Sequence, residues 1–205
     1  EYTDSQSFIV TVNAVNDAPV AQAGISGTGD EDQSISVLLS GSDVDGDVLT
    51  YSITGQSTNG TVDISGSNAT YTPDGDFNGS DSFTFTVSDG TLDATATVTL
   101  TVTAVNDAPV LAAVSAVSFD EDGSGSTTLS GSDVDDGDAL TYSIAGGTDI
   151  TASISGTDIT FTAAQDFNGS EDFTATVTDG TLSASQTFAV TVNAINDAPT
   201  ANAGS

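Results

Sequence analysis

Val105-Asn106-Asp107-Ala108-Pro109 is a five-residue phrase that the chain uses three times. The other copies are Val15–Pro19 and Ile195–Pro199, so the spacing is 90 residues both times. A phrase repeated at such a period marks the joint between copies of one structural module. Its Asn and Asp side chains offer oxygen ligands, and Pro removes an amide donor where one strand ends and another begins. The sequence therefore predicts joints between repeated modules that are able to hold a cation.

Two complete modules fit between these joints. The phrase bounds them at residues 18–107 and 108–197, with flanking pieces at 1–17 and 198–205. We expect residues 1–17 to be the last strand of a preceding repeat with its joint, and residues 198–205 to begin a following repeat. The second module carries one extra residue within 136–138, which we expect a loop to absorb.

Alternation of apolar and polar residues predicts strands throughout both modules. The inward-facing residues of the strand before each joint are Phe8, Val10 and Val12, then Val98, Leu100 and Val102, then Phe188, Val190 and Val192. Gly, Asn and Asp turns separate the strands, and no helical period is present. We therefore expect an all-β fold of tandem Greek-key β-sandwich repeats with about seven strands each.

The composition excludes several classes of function. The chain has 30 Asp and Glu residues and no Lys, Arg, His or Cys, for a formal net charge of −30. Nucleic acid and anionic membranes are poor partners, because both are bound by cationic side chains. Imidazole bases, thiolate nucleophiles and Schiff bases are excluded. Paired carboxylates can hydrolyse glycosidic bonds, but the chain has no Trp to line a sugar cleft. We therefore expect that the protein is not an enzyme and makes no direct contact with a membrane.

Side-chain oxygens gather at five places in each module. In the first they are Asp30–Asp32, Asp43–Asp47, Asp76–Gly79, Asp89–Gly90 and Asn106–Asp107. Ionised carboxylates repel one another, and the chain has no basic residue to compensate them. Calcium accepts about 6–8 hard oxygen ligands in flexible geometry, whereas magnesium needs stricter geometry and zinc prefers His or Cys. The residues favour calcium, and the alternative is that these clusters are ordinary turns that add solubilising charge.

The order of these motifs resembles the cadherin pattern, and more closely the bacterial cadherin-like tandem repeats of large surface adhesins. The resemblance covers residues 18–197 and the strand at 6–13. It implies cadherin-like or Ig-like modules, an extracellular location at the cell surface, and calcium held at each joint by both neighbouring modules. Cadherins carry a longer joint and a Leu-Asp-Arg-Glu motif that this chain lacks, so the number of ions per joint stays open.

Transferred residue by residue, the resemblance implies three sets of calcium ligands. The first joint would use Asn16, Asp17, Asp43, Asp45 and Asp89. The middle joint would use Glu31 with Asp30 or Asp32, and Asp76, Asn106, Asp107, Asp133, Asp135 and Asp179. The last joint would use Glu121, Asp166, Asn196 and Asp197. The first and last sets are half sets, so we expect weaker binding there.

The expected function is mechanical. Calcium at the joints would stiffen the repeats of an extracellular bacterial adhesin or surface protein that supports cell adhesion. The alternative is a subunit of an extracellular filament or matrix, assembled by donation of strand 6–13 to a neighbouring copy. The expected partners are neighbouring repeats of the same chain or other copies of it, and the adhesion target stays open.

Overall fold

The structure is a computed structural model that describes residues 1–135, 137 and 139–199. Every regular element among them is a β-strand, and the chain divides into two compact units, Glu1–Val105 and Asn106–Ser205. The first unit contains β1 (Val20–Ala21), β2 (Ser26–Asp30), β3 (Ile35–Leu38), β4 (Gly41–Ser42), β5 (Thr50–Gly55), β6 (Gly60–Ser65), β7 (Asn68–Pro73), β8 (Gly79–Ser88) and β9 (Asp93–Thr103). The second contains β10 (Val110–Leu111), β11 (Val117–Asp120), β12 (Ser124–Thr128), β13 (Gly131–Ser132), β14 (Thr141–Gly146), β15 (Ile150–Ser155), β16 (Asp158–Ala163), β17 (Gly169–Thr178) and β18 (Ser183–Asn193). The predicted all-β fold is confirmed.

Each unit is a sandwich of a four-stranded and a three-stranded sheet. In the first unit the strand orders are β2-β9-β8-β5 and β3-β7-β6, and β1 forms a short pair with β4. Strand β2 runs parallel to β9, while the other pairs are antiparallel. The second unit repeats this order as β11-β18-β17-β14, β12-β16-β15 and β10-β13. Seven strands per unit are longer than two residues, which agrees with the predicted Greek-key sandwich.

Alternate residues of the facing sheets form one core in each unit. Phe85 of β8 and Tyr71 of β7 are fully buried in the first core. In the second, the ring of Phe161 lies edge-on to those of Phe173 and Phe188, with centroid distances of 5.1 and 6.0 Å. Burying one such ring contributes about 1.5–3 kcal/mol. The apolar sets predicted for the strands before the second and third joints are buried in β9 and β18, as expected.

The strand predicted at residues 6–13 is not formed. Residues 1–19 contain no strand, and Phe8 and Val12 are 85% and 88% exposed. A strand needs a neighbour to take its backbone hydrogen bonds, and none of the described strands pairs with this segment. Its assignment to a preceding repeat stays a prediction. The predicted insertion at 136–138 and the predicted repeat beginning at 198–205 lie largely outside the described residues.

In the first unit the Asp81 carboxylate holds the loop that leads into β6. It accepts the backbone N–H groups of Thr58, Asn59 and Ser82 at 3.2, 2.9 and 2.7 Å. The Tyr71 hydroxyl donates to it at 3.1 Å. Burial by itself raises the pKa of Asp81, but the bonds from Asn59, Ser82, Thr58 and Tyr71 outweigh it and lower that pKa. The loop is therefore tied to β8 through an ionised carboxylate.

Glu171 takes the same role in the second unit. Its carboxylate accepts the backbone N–H groups of Thr148, Asp149 and Ile150 at 2.9, 3.1 and 3.0 Å. The bonds from Thr148, Ile150 and Asp149 lower the pKa of Glu171. Phe161 stands 90 residues after Tyr71 and has no hydroxyl, so the three backbone N–H groups are the donors to Glu171, whereas Asp81 accepts three backbone N–H groups and the Tyr71 hydroxyl. Backbone donors therefore occupy both carboxylates, which makes them structural clamps in these units.

Replacing Asp81 by Asn should lower the melting temperature of the first unit by about 10 °C at pH 7, because lost charge-assisted hydrogen bonds cost about 2 kcal/mol. The folded-state pKa of Asp81 lies below its unfolded value. Its contribution is therefore present above the unfolded pKa and is lost as the pH falls through the folded one. The difference in melting temperature between the parent and the Asp81→Asn variant should therefore become smaller below about pH 4.

Thermal unfolding from pH 7 to pH 2 in chelator measures this difference. The control is Asp63→Asn, which changes an exposed carboxylate on β6. A difference in melting temperature that is as large at pH 2 as at pH 7 would contradict the role of Asp81 as an ionised clamp.

Candidate metal centre

The joint phrase is tied to the repeat that follows it. In the first unit Asn16 Nδ2 donates to Asp89 Oδ2 at 2.8 Å, and the backbone N–H of Asp17 donates to Asp45 Oδ2 at 2.8 Å. The N–H of Asp45 donates in turn to Asp43 Oδ1 at 2.8 Å. The five residues predicted as ligands at the first joint therefore form one network around the phrase.

The second unit repeats this network 90 residues later. Asn106 Nδ2 donates to Asp179 Oδ2 at 2.9 Å, and the N–H of Asp107 donates to Asp135 Oδ2 at 2.8 Å. The N–H of Asp135 donates to Asp133 Oδ1 at 3.0 Å. The bond from Asn106 is the largest of the effects that lower the pKa of Asp179. The sequence repeat is thus also a repeat of hydrogen bonds.

Asp89 is held by its own turn as well as by the phrase. It lies between β8 and β9, where its Oδ1 accepts the N–H groups of Thr91 and Leu92 at 2.6 and 2.7 Å. The bond from Leu92, followed by those from the Asn16 amide and Thr91, lowers the pKa of Asp89. This carboxylate is therefore ionised and fixed in orientation at neutral pH.

Two carboxylate oxygens in these networks are buried without a hydrogen bond. No described residue donates to Asp43 Oδ2 or to Asp133 Oδ2, and both atoms are shielded from solvent. Leaving a buried polar atom unpaired costs free energy, and more so when it is charged. The chain has no Lys, Arg or His to pair with them. The donor set therefore fits a hard cation, which would supply the missing partner.

The Asp43–Asp47 loop brings in one carboxylate that the predicted set omits. Oxygens of Asp43, Asp45 and Asp47 lie within 4.8 Å of one another. Gly46 has a φ of 81°, a conformation that glycine adopts at little cost, so the loop can turn between the last two. The spacing of an Asp at every second position was the signal for Asp47.

A buried glutamate holds the end of the preceding strand. Glu31 is 3% exposed, its N–H donates to Thr103 O at 2.9 Å, and its Oε1 accepts the N–H of Val105 at 2.6 Å. Its Oε2 accepts from the side-chain amide of Asn78 at 3.3 Å. Because β2 runs parallel to β9, the two strands end side by side and Glu31 meets the chain where it leaves β9.

Glu121 occupies the equivalent position in the second unit and is 5% exposed. Its N–H donates to Asn193 O at 2.9 Å, and its carboxylate accepts the N–H of Ile195 at 2.7 Å. Strands β11 and β18 are the parallel pair that brings these residues together. Both glutamates predicted as ligands thus lie where the phrase begins.

Four aspartates among the described residues have a left-handed backbone, and two of them directly follow these glutamates in sequence. Those with φ between 58° and 62° are Asp32, Asp76, Asp122 and Asp166. In the first unit the N–H of Asp76 donates to Asp32 Oδ1 at 3.4 Å. In the second, carboxylate oxygens of Asp122, Asp166 and Asp197 lie within 4.8 Å of one another. Partial desolvation raises the pKa of Asp197, and the charges of Asp166, Glu121 and Asp122 raise it further. A bound cation would relieve this crowding of like charges.

Asp30, Asn196 and Asp122 are the remaining residues to compare with the predicted ligand sets. Asp30 ends β2, is exposed, and belongs to none of the carboxylate clusters within either described unit. Of the alternatives Asp30 and Asp32, it is Asp32 that contacts Asp76. Asn196 Nδ2 donates to Asp197 O at 3.2 Å. Asp122 is absent from the predicted set, although its position 90 residues after Asp32 would have identified it.

These features define a tandem array of Ig-like β-sandwiches with carboxylates around each joint phrase. A family described as "Bacterial Ig domain" matches residues 16–103 and again residues 106–193. The chain therefore belongs to the bacterial Ig domain family, in two tandem copies. No curated protein matches it.

Cadherin fragments are among the solved structures with a similar fold. Drosophila N-cadherin EC1-4 matches with a TM-score of 0.58 and 15% identity, over 87% of this chain and 50% of that one. Human protocadherin-24 EC1-2 matches with a TM-score of 0.55 and 18% identity, over 87% and 100%. An endo-fucoidan hydrolase of glycoside hydrolase family 107 matches over 91% of this chain and 30% of its own at 23% identity, but its TM-score of 0.43 carries no argument. The likeness to cadherins shows the fold alone.

Bacterial Ig-like domains are usually extracellular and non-enzymatic. No helix among the described residues is long and apolar enough to cross a membrane. That this chain catalyses no reaction stays a prediction.

Replacing Asp166 by Asn should raise the melting temperature of the calcium-free protein by about 3 °C at low ionic strength. The change removes one charge from the cluster with Asp122 and Asp197, and Asn tolerates the φ of 58° as well as Asp does. The gain should vanish in about 1 M KCl, where charges are screened over about 3 Å. Circular dichroism melts in chelator measure both values, with Asp63→Asn as the control. A loss of stability at low salt would show that the charges are not crowded.

Proposed function

We propose that this chain is a calcium-binding structural repeat of an extracellular bacterial adhesin or surface protein, stiffened by calcium at its joints. The observation that carries the proposal is the pair of buried oxygens, Asp43 Oδ2 and Asp133 Oδ2, that accept no hydrogen bond from any described residue. They stand at equivalent places in the two units, beside the phrase. An unpaired buried carboxylate oxygen in a chain without cationic side chains favours binding of a metal ion.

The residues that would hold calcium all offer oxygen. At the first joint they are Asn16, Asp17, Asp43, Asp45, Asp47 and Asp89. At the middle joint they are Glu31, Asp32, Asp76, Asn106, Asp107, Asp133, Asp135 and Asp179. At the last joint they are Glu121, Asp122, Asp166, Asn196 and Asp197. Calcium suits such sets because it accepts about 6–8 oxygen ligands and tolerates irregular geometry.

The function supported by these sets is mechanical. The phrase connects two sandwiches and carries ligand atoms itself, so an ion bound there would hold the connecting backbone in place. Extracellular modules bind calcium at about 10⁻⁴–10⁻³ M, which millimolar calcium outside the cell would saturate. A stalk of such repeats would be stiff in calcium and would bend at its joints without it. This is what a repeat needs in order to present an adhesive domain away from the cell surface.

Calcium at about 10 mM should raise the melting temperature by about 10 °C, since a ligand at about 100 times its dissociation constant stabilises the folded state by about 2.7 kcal/mol. Asp133→Asn should remove much of this gain, because it takes away an oxygen with no protein partner. Thermal melts and isothermal titration calorimetry measure the effect, with Asp63→Asn as the matched control.

Potassium chloride at the same ionic strength separates binding from screening. We expect a small, variant-independent shift in potassium and a large, variant-dependent one in calcium. Equal shifts in the two salts would leave the proposed calcium site without support.

The filament subunit is the second candidate, and one observation favours it. Phe8, Val10 and Val12 are exposed by 85%, 71% and 88% and pair with no strand among the described residues. Such a segment could complete the sheet of another copy. Analytical ultracentrifugation distinguishes the two: a filament subunit would self-associate, and Phe8→Asp with Val10→Asp would abolish this. The adhesin repeat stays monomeric at all concentrations.

A further inference from the structure

We propose that Glu31 and Asn106 are positioning residues that confine bending of the middle joint to a single peptide group, the one between Val105 and Asn106. The bonds that carry this inference lie within each unit and involve protein atoms alone. It therefore applies to the calcium-free protein and does not depend on the proposed function.

The chain is fixed to the first unit as far as Val105. Strand β9 ends at Thr103, whose carbonyl accepts the N–H of Glu31 at 2.9 Å. The carboxylate of Glu31 then accepts the N–H of Val105 at 2.6 Å. Glu31 is itself 3% exposed and cannot swing freely. The same pair of bonds recurs at Glu121 with Asn193 and Ile195, so the arrangement belongs to the repeat and not to one loop.

The chain is fixed to the second unit from Asn106 onward. The side-chain amide of Asn106 has two hydrogens, and it donates to Asp179 Oδ2 at 2.9 Å and to Asp107 O at 2.9 Å. The N–H of Asp107 donates to Asp135 Oδ2 at 2.8 Å. Pro109 is buried, and β10 begins at the next residue. Asn16 and Asp17 make the same bonds in the first unit.

No residue is left between these two fixed segments. The boundary between the compact units also falls between Val105 and Asn106. A peptide group is planar, so the backbone rotations that remain are φ and ψ of Val105 and φ of Asn106. Because the amide of Asn106 uses both hydrogens within the second unit, its Oδ1 keeps its lone pairs for another partner. The oxygens of Asn106 and Asp107 would therefore move with the second unit and those of Glu31 with the first.

Residual dipolar couplings of the full chain in chelator test this directly. Alignment tensors are determined separately from strand amides of each unit. The N–H couplings of Ala104 and Val105 should fit the first tensor, and those of Asp107 and Ala108 the second. The N–H of Asn106 should fit neither. Couplings of Asp107 that are averaged below the value from the second tensor would overturn the proposal, and so would one tensor that fits both units.

Variants test the roles of Glu31 and Asn106 separately. Asn106→Ala should move the coupling of Asp107 away from the second tensor. Asn16→Ala breaks the same bond at the first copy of the phrase, and it should leave residues 104–108 unchanged. Glu31→Gln keeps an acceptor oxygen and should keep Val105 on the first tensor, whereas Glu31→Ala should release it. If Glu31→Ala fails to fold, the Asn106→Ala and Asn16→Ala pair still decides the role of Asn106. If the N–H coupling of Asp107 in Asn106→Ala is the same as in the parent protein, the proposed role of Asn106 is overturned.

Discussion

Repulsion among carboxylates that have no cationic side chain to pair with is the constraint on which the joints depend. The chain carries 30 acidic residues and no basic one, and it gathers many of them around three copies of one phrase. Backbone N–H groups and Asn amides stabilise some of these carboxylates in their ionised form, as at Asp89 and Asp179. The oxygens that they do not reach, at Asp43 and Asp133, are the ones that favour a bound cation. The unpaired oxygens of Asp43 and Asp133 are therefore the atoms on which the proposed calcium binding depends.

The sandwich fold places these groups without relying on them for its core. The parallel pairing of β2 with β9 brings Glu31 to the point where the last strand leaves the sheet. The turn after β8 places Asp89 beside the phrase that enters the same unit. Phe85 and Tyr71 are buried well inside the first core, and the second unit repeats this packing. The apolar core of each unit thus does not include the carboxylates around the phrase.

Much of the fold could be predicted from the sequence, because alternation of apolar residues is a local signal that decides which face of a strand is buried. The spacing of 90 residues likewise identified Asn106, Asp107 and most of the carboxylates around them. Asp47 and Asp122 are missing from the predicted sets, although the Asp at every second position from 43 to 47 and the 90-residue spacing from Asp32 were signals for them. The clamps of Asp81 and Glu171 could not be predicted, since they depend on the directions of backbone N–H groups in a loop. The prediction of a strand at residues 6–13 is wrong, because an alternating pattern does not show whether a partner strand is present.

Crystallographic metal density would show whether a calcium ion binds among the oxygens of the joint phrase. Crystals grown in millimolar calcium, measured at a wavelength where calcium scatters anomalously, should show an anomalous peak within bonding distance of Asp133 Oδ2 and of Asp107. About 2.3–2.6 Å to each ligand oxygen is expected for calcium. A well-ordered joint with no anomalous peak in saturating calcium, and with water at these oxygens, would contradict calcium binding at the joint.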